Sequence, residues 1–145
     1  MRKLVLDTNV LIAFLRAPEA FAARFSAYDL VLLSPVVLGE FRAGLFDTKA
    51  GRENREALDA FLRNPAVRVC PMTDATSLVY AKVFQALRSA GKPIPTNDIW
   101  IAAAALESGA ALATDDRHFT AVPLLQIALA LPAPGRHGGN ICIRP

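Results

Sequence analysis

Four carboxylates interrupt stretches of this sequence that are otherwise apolar, and they are the residues best suited to chemistry. Two of them follow short apolar runs that are predicted to be buried strands, Lys3–Leu6 and Ala110–Ala113. The four acids are Asp7, Glu40, Asp98 and Asp116. Ligands bind at the carboxyl ends of the strands in open parallel sheets. Asp7 and Asp116 are therefore predicted to point toward the same sheet edge.

The other two acids are predicted to lie on helices. Glu40 shares a helix face with Val37 and Gly44 rather than with Arg42, so its face is the apolar one. Asp98 opens an Ala-rich helix, one turn before Ile101. Both acids are thus predicted to lie beside buried residues.

If the four acids meet, their charges create a need for a cation. Two carboxylates about 5 Å apart repel by roughly 3 kcal/mol at an effective dielectric constant near 20. Several such pairs rival the whole stability of a domain, about 5–15 kcal/mol. Hard carboxylate oxygens without Cys or His select Mg²⁺ or Mn²⁺ over zinc or copper. The pattern therefore predicts a magnesium or manganese site.

Each acid also has an ordinary alternative explanation. Asp7 could cap the helix that follows it, and Asp98 could be a first-turn acid favoured by the helix dipole. Asp115 or Asp116 could belong to a turn. Glu40 has no capping role and is costly to bury unpaired. The metal-site hypothesis therefore depends on the four acids taken together.

Four motifs carry a family resemblance. They are Leu6–Ile12 (LDTNVLI), Glu40 in its helix, Pro95–Asp98 (PTND) before the Ala-rich helix, and Thr114–Phe119 (TDDRHF). In this order and spacing they resemble a PIN domain, specifically a VapC-type toxin ribonuclease, over about residues 3–131.

The resemblance implies a Rossmann-like three-layer α/β/α fold with a central parallel sheet. It also implies an Mg²⁺- or Mn²⁺-dependent endoribonuclease, the toxin of a type II toxin–antitoxin system, with a homodimer and a VapB-like antitoxin as partners. Asp7, Glu40, Asp98 and Asp116 match the family's acidic positions. Its polar supporting positions are matched by Thr8, Asn9 and Thr114.

Each acid has an expected role in hydrolysis by a metal-activated water. Asp7 and Asp98 are expected to bind the metal directly, and Asp116 directly or through water. Glu40 is expected to be a ligand or to orient the attacking water. No Ser/His/Asp or Cys/His arrangement competes, because neither His118 nor His137 has a paired nucleophile. His118 is predicted to pack at a strand end or to contact substrate.

Two features depart from the family pattern. Asp115 fills a position that is usually variable, and spacing favours Asp116 over Asp115 as the fourth acid. The Gly/Pro-rich segment 132–145 has no counterpart, so the domain is predicted to be residues 1–131 and the remainder a tail of unassigned role.

The charge balance suits an anionic substrate. The net charge is +3, and without the four site acids 16 basic residues face 9 acidic ones, which leaves +7. The alternative is an ordinary solvated face. Candidate phosphate contacts are Arg42, Lys49, Arg52, Arg55 and Arg117.

Short apolar strands alternating with helices predict a parallel sheet covered on both faces. The predicted strands are Lys3–Leu6, Leu30–Leu33, Val67–Val69 and Ala110–Ala113, with Leu125–Leu131 as a candidate fifth. Helices are predicted after Asp7, over Glu19–Ala27, from Pro35 to about Phe46, up to Asn64, from Thr73 to Gly91, and from Thr96. A loop or the tip of a helix hairpin is predicted over Asp47–Glu53.

Composition excludes several classes of protein. With 145 residues, 53% of them hydrophobic, the chain is long enough for one cored domain and too apolar for general disorder. Its most apolar stretch, residues 99–113, is interrupted before it reaches the length of a membrane span. Asp7 and Asn9 interrupt the apolar start that resembles a signal peptide. A cytoplasmic location is expected.

The two cysteines, Cys70 and Cys142, lack neighbours at the spacing of a zinc site. Both are predicted to be reduced. A disulfide between them is the alternative, because separation in sequence does not determine the distance between two β-carbons.

Two other functions compete with a nuclease. A haloacid-dehalogenase-like phosphatase needs a second Asp two positions after the first, where this chain has Asn9. A catalytically inert PIN-like module would bind RNA or protein without cutting, and its RNA binding would survive metal chelation. Substitution of one of the four acids would favour that module, and all four are present.

Overall fold

A parallel five-stranded sheet forms the centre of the protein in a computed structural model that describes residues 1–45 and 49–128. The strands are β1 (Lys3–Leu6), β2 (Leu30–Leu33), β3 (Val67–Val69), β4 (Ala111–Ala113) and β5 (Ile127–Ala128). They are arranged in the order β3-β2-β1-β4-β5, and every neighbouring pair is parallel. The predicted α/β fold with a parallel sheet is confirmed.

Helices connect the strands. They are α1 (Thr8–Arg16), α2 (Ala22–Phe25), α3 (Pro35–Ala43), α4 (Lys49–Leu62), α5 (Asp74–Ser89) and α6 (Thr96–Ser108), with 3₁₀ turns at Pro18–Ala20 and Arg117–Ala121. Several begin at the predicted caps. Asp7 caps α1, and the Ser34 hydroxyl accepts from the Val37 amide at the start of α3. Asn64 and Pro65 follow the end of α4 as expected.

Part of the core lies between the central strand β1 and helix α6, which carries Asp98 in its first turn. Leu4, Val5 and Leu6 of β1 are all buried. In α6, residues Ile101–Ala105 are buried as well, and the small alanines let this helix pack closely on β1 and β4. Helix α5 packs along the other side of α6. An acid at the start of α6 is therefore held on a rigid, buried support.

The strand order reverses between β1 and β4. From β1 the chain continues to β2 and β3 on one side, whereas β4 and β5 extend the sheet on the other. Such a reversal opens a crevice at the carboxyl ends of the two strands. Leu6 is in register with Ala113, so Asp7 and Thr114 leave the sheet side by side.

The prediction of one continuous helix over Glu19–Ala27 is wrong. The segment forms a 3₁₀ turn at Pro18–Ala20 and the one-turn helix α2, with Phe21 between them. Phe21 is 3% exposed and meets the rings of Phe14 and Phe25. The interruption thus directs Phe21 into the core.

The boundary between α3 and α4 also differs from the prediction. Helix α3 ends at Ala43 rather than near Phe46, because the Gly44 amide closes the last turn on the carbonyls of Glu40 and Phe41. Helix α4 begins at Lys49, inside the segment predicted as a loop or the tip of a helix hairpin, Asp47–Glu53. Lys49, Arg52 and Glu53 are exposed on the first turns of this helix, where the Lys49 amine lies 4.0 Å from the Glu53 carboxylate.

Several predictions concern residues outside the described part of the chain. These are Phe46 and Asp47 at the helix and loop ends, Leu129–Leu131 of the fifth strand, the tail 132–145, His137 and Cys142.

Cys70 is buried, and burial raises the pKa of its thiol to about 11. Within residues 1–45 and 49–128, no helix is both long and apolar enough to cross a membrane.

Candidate active site

An open cleft of about 350 Å³ lies at the carboxyl edge of the sheet, where the strand order reverses. The four acids predicted from the sequence all line it, although they come from four separate segments of the chain. The cleft is lined by Asp7, Thr8, Asn9, Glu40, Pro95, Thr96, Asn97, Asp98, Asp116 and His118.

Asp7 is the most firmly held of the acids. Its side chain is buried, and its Oδ1 accepts from the Thr8 amide at 2.8 Å, which caps α1. Its Oδ2 accepts from the Thr114 hydroxyl at 2.7 Å. Burial raises the pKa of Asp7 above its ordinary value, although both hydrogen bonds oppose the rise. The capping alternative is thus correct, and the same residue also lines the cleft.

Glu40 faces the cleft from the middle of α3. It is half-buried, and its Oε1 accepts from the Thr8 hydroxyl at 2.9 Å. This bond ties α3 to the start of α1 and aims the carboxylate at the cleft. A mid-helix acid on an apolar face therefore has a polar partner here.

Asp98 and Asp116 come from α6 and from the segment that follows β4. Asp98 is in the first turn of α6, as the helix-dipole alternative required, and its side chain is 17% exposed. Burial, together with the negative charges of Asp7 and Asp116, raises the pKa of Asp98 to about 6. Both Asp7 and Asp98 are thus less stable as anions than in water, as expected for a pocket short of positive charge.

The structure separates Asp115 from Asp116. Asp115 is exposed and does not line the cleft, whereas Asp116 is half-buried and does. The Thr114 hydroxyl, which donates to Asp7, also accepts from the Asp116 amide at 3.0 Å. Thr114 therefore links the ends of β1 and β4, and this geometry agrees with the spacing that favoured Asp116.

The sequence predicts His118 at a strand end or against substrate, and does not predict its place among the acids. The His118 Nδ1 lies 3.3 Å from Asp116 Oδ1 and 3.5 Å from Asp98 Oδ2. Ligand atoms of these three residues all lie within 4.8 Å of one another. The only hint in the sequence is that His118 comes two residues after Asp116, within one tight turn.

The predicted phosphate-binding cations are not brought together at the cleft. Arg42, Lys49, Arg52 and Arg117 are exposed, and none of them lines it. Arg55 is half-buried, and its guanidinium donates to the Leu45 carbonyl at 3.5 Å. Their contact with substrate remains a prediction.

The described site contains an acidic cluster able to hold a divalent cation. Carboxylate oxygens are the donors that Mg²⁺ and Mn²⁺ prefer. Burial raises the pKa values of Asp7 and Asp98, so a bound cation would stabilise their ionised forms.

Comparisons with known proteins agree with this geometry. Residues 4–125 match the PIN domain family. Ribonuclease VapC4 of Mycobacterium tuberculosis (strain ATCC 25618 / H37Rv) is 29% identical over 127 residues, covering 88% of this chain and 96% of the relative. Ribonuclease VapC1 of Haemophilus influenzae (strain R2866) is 31% identical over 114 residues, covering 76% of this chain and 84% of the relative.

Solved structures show the same fold. VapBC-1 from nontypeable Haemophilus influenzae superposes with a TM-score of 0.75 at 28% identity, over 87% of this chain and 96% of that one. VapBC-5 from Mycobacterium tuberculosis, a member of the VapBC family of toxin–antitoxin systems, gives a TM-score of 0.66 at 27% identity. The match covers 87% of this chain and 94% of that one. With a match to its family over residues 4–125 and relatives of nearly full length, the chain belongs to the PIN domain family and, within it, to the VapC group.

Proposed function

We propose that this protein is a divalent-metal-dependent endoribonuclease and the toxin of a VapBC-type toxin–antitoxin pair. The observation that carries the proposal is the meeting of Asp7, Glu40, Asp98 and Asp116 in one cleft, each delivered by a different segment of the chain. A fold has little structural reason to gather four acids whose charges repel one another. A site for a cation and a phosphate provides that reason.

The donor set fits the proposed ion. The cleft offers carboxylate oxygens, and the pKa of Asp98 is raised to about 6 by burial and by neighbouring negative charge, so a cation would favour its ionised form. We propose Mg²⁺ or Mn²⁺ as the ion, with Asp7 and Asp98 as ligands and Asp116 as a ligand directly or through water. When bound, such an ion lowers the pKa of water and offsets the charge that develops on a phosphate.

The protein's own residues hold the groups in place. The Thr114 hydroxyl and the Thr8 amide fix both oxygens of Asp7, which leaves little freedom to its carboxylate. The Thr8 hydroxyl orients Glu40, which we propose binds the ion or aligns the attacking water. Asn9 is exposed at the cleft, and we propose it as a polar residue that supports the acids. These bonds preorganise the site before substrate arrives.

The substrate and partners follow from the relatives. Two of them are named as ribonucleases, and the similar structures include a member of a toxin–antitoxin family. We therefore propose RNA as substrate and a VapB-like antitoxin as partner. We also propose a homodimer, which the family resemblance implies, and the cytoplasm as the location. The net charge of +7 without the site acids supports approach of a polyanion.

The test is cleavage of a mixed pool of structured RNA by the purified full chain. Mg²⁺, Mn²⁺ or a chelator is added in parallel, with duplex DNA as a substrate control. We expect metal-dependent cuts in the RNA that disappear in Asp98→Asn. The matched variant Asp115→Asn makes the same chemical change at an exposed neighbour outside the cleft, and it should still cut.

RNA binding without cuts in any metal would refute the nuclease proposal and favour the inert binding module. Cuts that persist in chelator would refute the metal dependence. Equal loss of cleavage in Asp98→Asn and Asp115→Asn would show that the cleft acids are not the relevant ones.

A further inference from the structure

His118 lines the cleft beside the acids, and the carboxylate chemistry does not use its imidazole. Its imidazole is 54% exposed, yet Nδ1 faces Asp98 Oδ2 at 3.5 Å and Asp116 Oδ1 at 3.3 Å. Its backbone amide also donates to Asp116 Oδ1 at 2.9 Å. One tight turn therefore presents both the Asp116 carboxylate and the imidazole to the same point.

The spacing of these atoms matches a set of metal ligands. Adjacent ligands of an octahedral ion are about 3.0 Å apart when each lies about 2.1 Å from the ion. The two distances from Nδ1 exceed that value by only a few tenths of an ångström. An exposed imidazole can make so small an adjustment without moving the core.

The charges in the cleft also favour a bound cation. Among the described residues that line it, none is Lys or Arg, so no fixed cation neutralises the carboxylates. A half-exposed pair of imidazole and carboxylate contributes little by itself, because water screens it. An ion shared between the nitrogen and the two carboxylates would use all three groups at once.

We propose that His118 supplies a nitrogen ligand to the divalent ion of this cleft and thereby shifts the site's preference from Mg²⁺ toward a first-row transition ion such as Mn²⁺. This rests on the proposed function for the presence of an ion. Mg²⁺ is bound mainly through oxygen and keeps its waters, whereas imidazole suits transition metals. A site of carboxylates alone lacks this preference.

The experiment measures metal binding directly, without RNA. Mn²⁺ is added to the full chain, and pulsed electron paramagnetic resonance detects magnetic coupling to any nitrogen bonded to it. Comparing unlabelled protein with protein containing isotopically labelled histidine assigns that nitrogen without any substitution. Competition with Mg²⁺ gives the preference for one ion over the other.

The chain offers a matched control because it contains only two histidines. We expect coupling to a histidine nitrogen in the wild-type protein, its retention in His137→Gln and its loss in His118→Gln. The preference for Mn²⁺ over Mg²⁺ should fall by at least about tenfold in His118→Gln, the scale seen when even a partner behind a metal ligand is removed. Circular dichroism checks that both variants fold.

Mn²⁺ bound without histidine coupling, coupling that His137→Gln abolishes, or an unchanged preference in His118→Gln would each overturn the inference. Absence of any bound Mn²⁺ would overturn it as well. RNA cleavage is scored separately on the same samples. Cleavage without histidine coupling overturns only the role of His118, whereas histidine coupling without any cleavage supports that role and refutes the nuclease.

Discussion

Replacing Asp98 by Asn should stabilise the metal-free protein at neutral pH. The ordinary carboxyl pKa of 3.8 is raised to about 6 at Asp98 by burial and by the charges of Asp7 and Asp116. One pH unit corresponds to about 1.36 kcal/mol, so ionised Asp98 lowers the free energy of unfolding by about 3 kcal/mol. Its side chain is only 17% exposed, so screening by water removes little of this. Asparagine keeps the shape and carries no charge.

The effect has a defined pH window. Burial disfavours the charged form, so the folded protein binds a proton at Asp98 more tightly than the unfolded chain does. In the wild-type protein, stability from this group is therefore lost as the pH rises from about 4 through about 6. The advantage of Asp98→Asn should be near its full value at pH 7.5 and should vanish below pH 4.

The assay is urea and thermal unfolding at pH 7.5 and pH 4, in chelator and with saturating Mn²⁺. In chelator at pH 7.5 the variant should melt roughly 6–12 °C higher than wild type, since about 1 kcal/mol moves a domain of this size by roughly 2–4 °C. Mn²⁺ at a hundred times its dissociation constant should raise wild-type stability by about 2.7 kcal/mol and the variant's by less. Asp115→Asn, an exposed neighbour, should match wild type throughout. An Asp98→Asn protein no more stable than wild type in chelator at pH 7.5 would refute the reasoning.

Three further substitutions test the contacts around the cleft. Thr114→Val leaves Asp7 Oδ2 and the Asp116 amide without a partner, so urea unfolding should show a loss of about 1–3 kcal/mol, and an unchanged midpoint would contradict the linking role. Thr8→Val should slow single-turnover RNA cleavage by at least about tenfold, whereas Thr8→Ser keeps the hydroxyl that orients Glu40 and should recover most of the wild-type rate. Equal rates in the two variants would contradict that role. Phe119→Ala should cost about 3–5 kcal/mol in thermal unfolding because the ring is fully buried, whereas Phe84→Ala, 42% exposed, should cost much less; similar losses would contradict the burial argument.

The strands and the four acids could be predicted because both depend on local patterns. Each strand is a short apolar run that ends at a polar residue, as at Asp7 and Thr114, and a parallel sheet gathers such ends at one edge. Glu40 stood out because nothing local explains an acid on an apolar helix face. Fold and family are confirmed, while the roles of the site residues and the boundary near residue 131 remain predictions.

The remaining features depend on contacts that pattern does not reveal. The composition of Lys49–Glu53 suits either a loop or a helix turn, and the sequence does not show that Gly51 and Leu58 of this helix are buried. His118 joins the cleft because Asp116 caps the turn that carries it, which sequence spacing does not show. For Asp7, capping and lining the cleft were treated as alternatives, yet its two oxygens serve different partners and both roles hold.

The hydrogen bond from Thr114 to Asp7 joins residues 107 positions apart. Thr114 reaches Asp7 only after β4 has inserted beside β1, and Asp116 and His118 come later still in the chain. No N-terminal portion that ends before residue 118 contains all the residues that line the cleft. If the proposed function holds, the nascent chain therefore gains the capacity to cut RNA only after β4 has emerged and paired with β1, late in the synthesis of the domain.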